Sequence, residues 1–365
     1  MYSRLRALRY TIAFTGPILA VIGLLSHGLW CWALPLYAFV LIPLVELFTR
    51  PLRDGLSEAG ERAAANDPLF DALLLLFVPV QWGVLVLFLF HARAAAWPSW
   101  DLAGHVATMG LMCGVYGINI AHELGHRATR WERDLARVLL LSSLYMHFII
   151  EHNRGHHRRV GTPEDPASAR FGESIYRFWP RTILFSFISA WNIEVARLRT
   201  KGLPAFGVHN EMIRSLLIEL ALITTIALLF GTQALLCFLV AALIGILLLE
   251  TVNYIEHYGL GRAINERGVH GRVQHVHSWN SDHLIGRCML FELTRHSDHH
   301  YMASRKYQVL RSVPEAPELP TGYPGMMLLS LVPPLWFRVV DPIVRRLVGT
   351  HTNLIFATGA AARPA

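Results

Sequence analysis

Nine of the 19 histidines in this chain fall in four short blocks, and their spacing is that of metal ligands. The first block is His122-Glu-Leu-Gly-His126. On a helix, residues four apart lie one turn above one another, so both imidazoles leave the same face. The second, Glu151-His152-Asn-Arg-Gly-His156-His157, repeats that spacing and adds a neighbouring histidine. The third, Arg295-His296-Ser-Asp-His299-His300, uses a spacing of three with the same doubled ending, and the fourth is a fragment, Asn253-Tyr-Ile-Glu256-His257. Neutral imidazole binds iron, zinc, copper or nickel, and nine rings exceed what one ion accepts, so two metal ions are the economical reading. Glu123, Glu151, Glu256 and Asp298 each adjoin a block histidine and are candidates to hold the outward ring N–H groups. His277 and His283 are candidates for the same duty or for meeting an electron donor. A zinc-protease helix also pairs Glu with two histidines, yet the other three blocks have no place in that mechanism. Few carboxylates stand at the Glu-x-x-His spacing of a carboxylate-bridged di-iron bundle. A lone His-x-x-x-His pair is most often two surface histidines; four blocks brought to one side of a membrane are not.

The elements that must position these blocks are membrane helices. Of 365 residues, 53% are apolar and only 16% charged, and the mean hydropathy is +0.37, where soluble domains are about a quarter charged. That composition excludes disorder and argues against an ordinary soluble enzyme. Apolar stretches at about 11–27, 31–49, 69–91, 102–121, 213–230 and 233–250 predict six crossings in three hairpins. Trp97 and Trp100 suit a membrane–water boundary. With the start at Arg4, Arg6 and Arg9 in the cytosol, only Arg93 of the 33 Lys and Arg falls outside, a strong positive-inside pattern that puts both termini in the cytoplasm. The expected fold is therefore an all-α, single-domain integral membrane protein. Its six transmembrane helices carry a cytosolic helical and loop cap, 122–212 and 251–356, that holds the histidine-rich site, and 357–365 form a frayed tail. Shorter apolar runs at 135–150 and 325–340 are placed on the cytosolic face. All four blocks then lie on the cytosolic side, with His122 and His257 at the ends of the fourth and sixth helices. Glu219 and Glu250 are ionisable groups within apolar runs and so are functional candidates. The four cysteines form no CxxC pair and no disulfide framework.

The longer strings carry a resemblance. The four blocks, Thr162-Pro-Glu-Asp-Pro-Ala-Ser-Ala-Arg170 after the second, Asn253-Tyr-Ile-Glu-His-Tyr-Gly-Leu260, and His277-Ser-Trp-Asn-Ser-Asp-His283 resemble the membrane-bound desaturase and hydroxylase superfamily. Within it they are most similar to the bacterial membrane alkane 1-monooxygenases, over about 100–340, while residues 1–100 match only in hydropathy and helix count. Leu293-Thr294 stands where the family pattern has Leu-Gln, and Arg127 where Lys is usual; neither position is a ligand. The resemblance implies a non-haem di-iron site, two Fe bound by the nine histidines, with O2 as co-substrate. It implies terminal hydroxylation of n-alkanes to primary alcohols in a bacterial inner membrane. Electrons would come from rubredoxin, reduced by an NAD(P)H-dependent rubredoxin reductase. The chain has no glycine-rich dinucleotide fingerprint of its own, which agrees with an external donor. Its Arg-rich cytosolic face would attract an acidic carrier, or equally membrane lipid head groups, and no nucleic acid partner is expected. Other readings are hydroxylation of an alkylaromatic methyl group of the xylene type and desaturation or hydroxylation of an acyl lipid, which product analysis separates. A metal transporter would want its ligands near the bilayer midplane, not at helix ends.

Overall fold

The computed structural model describes residues 2–96 and 99–358. Trp97 and most of the expected tail lie outside the described residues. Among the described residues four helices are long and apolar enough to cross a membrane: α1 (Leu5–Leu24), α2 (Gly28–Phe48), α3 (Pro68–Ala94) and the 47-residue stretch Glu211–His257. Within apolar surroundings a backbone can satisfy its N–H and C=O groups only internally, which is why uncharged runs of this length become helices. The last of the four is broken at Gly231 (φ 85°, ψ 171°) into two arms, α8 (211–230) and α9 (232–257). Glu219 of α8 accepts the Met146 N–H and Glu250 of α9 accepts the Tyr145 hydroxyl, so the arms fold back beside one another. These intramembrane carboxylates are thus hydrogen-bonded anchors for one loop.

The expected span at 102–121 is present as a helix, α4 (100–125), opened by Ser99, whose Oγ accepts the Leu102 N–H. It is not among the four by hydropathy, because glycines and polar side chains such as His105 and Asn119 run along it. Those glycines have another use. A Cβ on Gly110 would meet Ile244 at 2.5 Å, and one on Gly245 would meet Cys113 at 2.6 Å, so α4 and α9 approach through small residues. Three segments depart from α geometry into π turns: Tyr37–Leu41 in α2, Met112–Ile118 in α4 and His152–His156. Such turns recur at functional sites.

Between α4 and α8 the chain forms α5 (Arg130–Leu141), α6 (148–159) and α7 (Ile175–Thr200). α7 runs from α9 to the start of α8: Thr182 donates to Glu250, and Glu194 accepts the Glu211 N–H. A two-stranded antiparallel pair, β1 (Leu260–Arg262) and β2 (Leu354–Phe356), ties the segment after α9 to the end of the described chain in the register Leu260↔Phe356. The third block sits on α10 (His296–Tyr301). It is clamped from the far end of the sequence: Asp54 receives Arg6 (3.2 Å), Arg9 (2.7 Å), Arg287 (2.8 Å) and Arg295 (3.2 Å). Arg287 and Arg295 also pair with Glu292 and Asp282, and the Tyr10 hydroxyl donates to Glu292. Those contacts hold Phe291 and Glu292 at positive φ (52° and 58°), a conformation that non-glycine residues adopt only when their surroundings dictate it.

Candidate metal centre

All nine block histidines converge, in two groups. His122, His126, His152, His157 and His299 form one; His156, His257, His296 and His300 form the other. In each group every ring turns Nε2 inward. Nε2···Nε2 separations in the first are 3.0 Å (His122–His299), 3.1 Å (His299–His157), 3.0 Å (His157–His152) and 3.2 Å (His152–His126). In the second they are 3.1 Å (His257–His296), 2.9 Å (His296–His300) and 3.2 Å (His156–His300). Two imidazole nitrogens each about 2.1 Å from one ion and at right angles to it stand about 3.0 Å apart. Facing nitrogens at that spacing fit ions better than they fit each other, since few of these pairs could share a proton at once. Burial holds the His126 ring down to about 3 and pulls His152, His157, His299, His296 and His300 well below the ordinary range. Neutral rings are what a metal requires.

The division between the groups follows backbone geometry. His122 and His126, four apart in an α turn, share a group as expected. His152 and His156 share the same spacing but separate. The π turn carries its hydrogen bond to the fifth residue, so it stacks His152 with His157 and sends His156 to the other group. On α10, His296 and His300 stay together while His299 crosses over.

The groups behind the rings differ from those expected. Glu123 receives the Tyr307 N–H and pairs with Arg127. Glu151 pairs with Arg159 and takes the Ser189 hydroxyl. Asp298 holds His275, Arg305 and the Arg311 N–H. The His277 ring is held between the Gln274 N–H and the Asn353 carbonyl. His283 is buried ahead of the helix Leu284–Met289, near Asp282 and Glu318. These residues brace the cap around the rings. Glu256 does touch a ring, but at the inward atom: its Oε2 lies 3.2 Å from His296 Nε2, while its Oε1 accepts the Tyr323 hydroxyl at 2.9 Å. The acceptor that sequence reading missed is Asp165, whose Oδ2 meets His156 Nδ1 at 2.9 Å and also takes the Ser168 hydroxyl. Its signal was the Thr162–Arg170 string. Burial acts against its charge, yet His156 and Ser168 hold its pKa down to about 2. The same pairing overcomes burial and raises His156, so an ion at Nε2 would displace a proton there. Asp165→Asn is expected to weaken metal binding in the four-histidine group about 10- to 100-fold. Loss of one ion per chain at a chelator concentration that leaves the parent protein loaded would be the readout.

A cavity of about 100 Å³ reaches these groups. Phe39 and Ile42 of α2, Leu111, Gly114 and Val115 of α4 and Leu248, Leu249 and Val252 of α9 form its walls. His122, His152, His296, Glu256 and Tyr323 stand at its polar end. All three π turns contribute to its lining: Phe39, Gly114 with Val115, and His152.

An apolar helical anchor ending in nine imidazoles, five in one group and four in the other, defines an integral membrane protein with a histidine-rich centre able to hold metal. Residues 95–329 match the fatty acid desaturase family. Alkane 1-monooxygenase 1 of Pseudomonas aeruginosa is 42% identical over 321 residues, 87% of this chain and 83% of its own. Alkane 1-monooxygenase 2 of Alcanivorax borkumensis is 35% identical over 346 residues, 94% and 91% of the two chains. The xylene/toluene monooxygenase hydroxylase component of Pseudomonas putida is 28% identical over 337 residues, 91% and 87%. The chain belongs to the fatty acid desaturase family and, within it, to the alkane 1-monooxygenases.

Proposed function

We propose that the protein hydroxylates the terminal methyl group of an n-alkane, with O2 as oxidant and a primary alcohol and water as products. The observation that carries this is the apolar cavity whose one polar end is formed by histidines from both groups. An unactivated alkane offers nothing to hydrogen-bond, so its recognition must come from shape and desolvation, and apolar walls supply the desolvation. Iron fits the donor set: five imidazole nitrogens in one group and four in the other. Two irons held there would supply the O2 activation that a strong C–H bond demands. The residues of the chain do the rest. Leu248, Leu249 and Val252 exclude water and lead the methyl end forward, while Asp165 fixes the His156 ring and Tyr323 orients Glu256 at the cavity's end.

The two electrons arrive from outside the chain, for which rubredoxin and its NAD(P)H-dependent reductase are the proposed source. Six crossings by α1–α4, α8 and α9, with both termini and the histidine cap in the cytoplasm of a bacterial inner membrane, agree with the distribution of Lys and Arg. The test uses protein in nanodiscs with rubredoxin, reductase and NADH, offered octane, hexadecane, xylene or an acyl lipid separately. Primary alcohol from an alkane with about two irons per chain is expected from nine imidazole ligands. Benzylic alcohol alone, or an alkene from the lipid alone, would replace this reading.

A further inference from the structure

A groove of about 520 Å³ opens on the cap between α7 and the segment 159–170. Phe185, Ile188 and Ile193 of α7 form an apolar wall, and Arg170 and Arg181 stand at its basic end. Residues 182–193 of α7 carry no charge, arginines flank them at 177, 181, 197 and 199, and Leu184, Phe185 and Ile188 are exposed together on one face. A helix with an apolar face and basic ends lies in the plane of a membrane interface. Towards its far end α7 meets the start of α8, an apolar helix that itself exposes Leu216, Leu217 and Leu220.

The basic end lacks counter-charge. Arg170 and Arg181 share one carboxylate, Glu173, which is already committed to Arg181 through both oxygens and to the Arg170 N–H, and Arg177 adds a further positive charge beside Arg170. The half-buried Arg170 guanidinium donates to no other side chain among the described residues. The groove's own carboxylates turn elsewhere, Asp165 to His156 and Ser168, Glu164 to Thr162. A guanidinium fork beside an apolar trough matches a phosphate that carries acyl chains.

We propose that this groove binds one anionic membrane phospholipid, its phosphate on Arg170 and an acyl chain along Phe185 and Ile188. Asp165 forms part of the groove and holds His156, so the bound lipid covers the outer side of the four-histidine group. The proposal rests on the integral membrane character of the chain and is independent of its substrate.

Delipidated, iron-loaded protein in detergent, titrated with dioleoyl phosphatidylglycerol and read by native mass spectrometry, tests it. One lipid should bind ahead of all others and ahead of dioleoyl phosphatidylcholine. Arg170→Gln should weaken that binding about tenfold or more, the worth of a charge-assisted hydrogen bond. Ile188→Asp, which leaves Arg170 in place, should weaken it too, whereas Arg199→Gln should not. Iron content and Tm report folding for each variant. Equal binding by the parent protein and a folded Arg170→Gln overturns the proposal. So does displacement of the lipid by an equal concentration of inorganic phosphate, which would mark a simple anion site.

Discussion

His296→Ala is expected to lower alkane turnover to below about one-hundredth of the parent value, since even indirect supports of metal ligands are worth 10- to 100-fold. His296 sits where the two functions of the site meet. Its Nε2 lies 3.1 Å from that of His257, 2.9 Å from that of His300 and 3.2 Å from Glu256 Oε2, and its ring lines the cavity. Truncation therefore removes a donor from the smaller group, leaves Glu256 Oε2 without its ring contact and widens the cavity's polar end. Bound iron should fall from about two towards about one per chain, because the five-histidine group shares none of those contacts. Full activity with normal iron content would sink the assignment of His296 as a ligand. An unchanged melting curve beside the lost activity would separate this effect from unfolding.

Asp54→Asn acts on stability. One carboxylate serves four guanidiniums, and the side chains of Arg287 and Arg295 are fully buried. Removing one partner of a buried ion pair costs about 3–5 kcal/mol. Asp54 is 22% exposed, and Arg287 and Arg295 keep Glu292 and Asp282, so about 2–3 kcal/mol is the better expectation. In this size range that lowers Tm by roughly 5 °C. Burial alone would raise the Asp54 pKa, but Arg9, Arg287 and Arg6 outweigh it and hold the carboxyl well below the usual range. A depressed carboxylate stabilises the fold above its unfolded pKa of about 3.9 and loses that contribution as pH falls further. The difference in Tm between parent and variant should therefore be full at pH 7 and shrink only in acid. A difference that did not change with pH would mean packing, not charge, had been lost.

Much of the site could be read from residue types alone. Spacing marked all nine histidines, and hydropathy marked where the helices that carry His122 and His257 emerge. The partition of the rings was not legible, because a π turn has the same letters as an α turn; the extra residue at His152–His156 shows only in hydrogen bonding. Adjacency misled for Glu123, Glu151 and Asp298, since neighbours in a helix point about 100° apart and these carboxylates found arginines instead. Asp165 was missed for the converse reason: it lies nine positions along the chain from His156 and is brought back under that ring by a turn. α7 was absorbed into an undivided cap because its apolar stretch is too short to span, with Pro180 and arginines near its ends. The Asp54 clamp joins residues more than 200 apart in sequence, beyond any local pattern.

The π turns bear on how this chain compares with others over time. Each is a helix that has absorbed one additional residue without breaking. Around the cavity, Tyr37–Leu41 and Met112–Ile118 set which side chains face inward by chain length as much as by residue type. Loss of one residue from such a turn would restore ordinary helix and rotate everything beyond it by about 100°. In α4 the portion beyond carries His122 and His126. Substitution is a tolerable route of variation along these walls, and deletion is not. Gaps between this chain and its relatives therefore belong in the cap loops and the termini, and a gap drawn inside α4 would imply a different metal site.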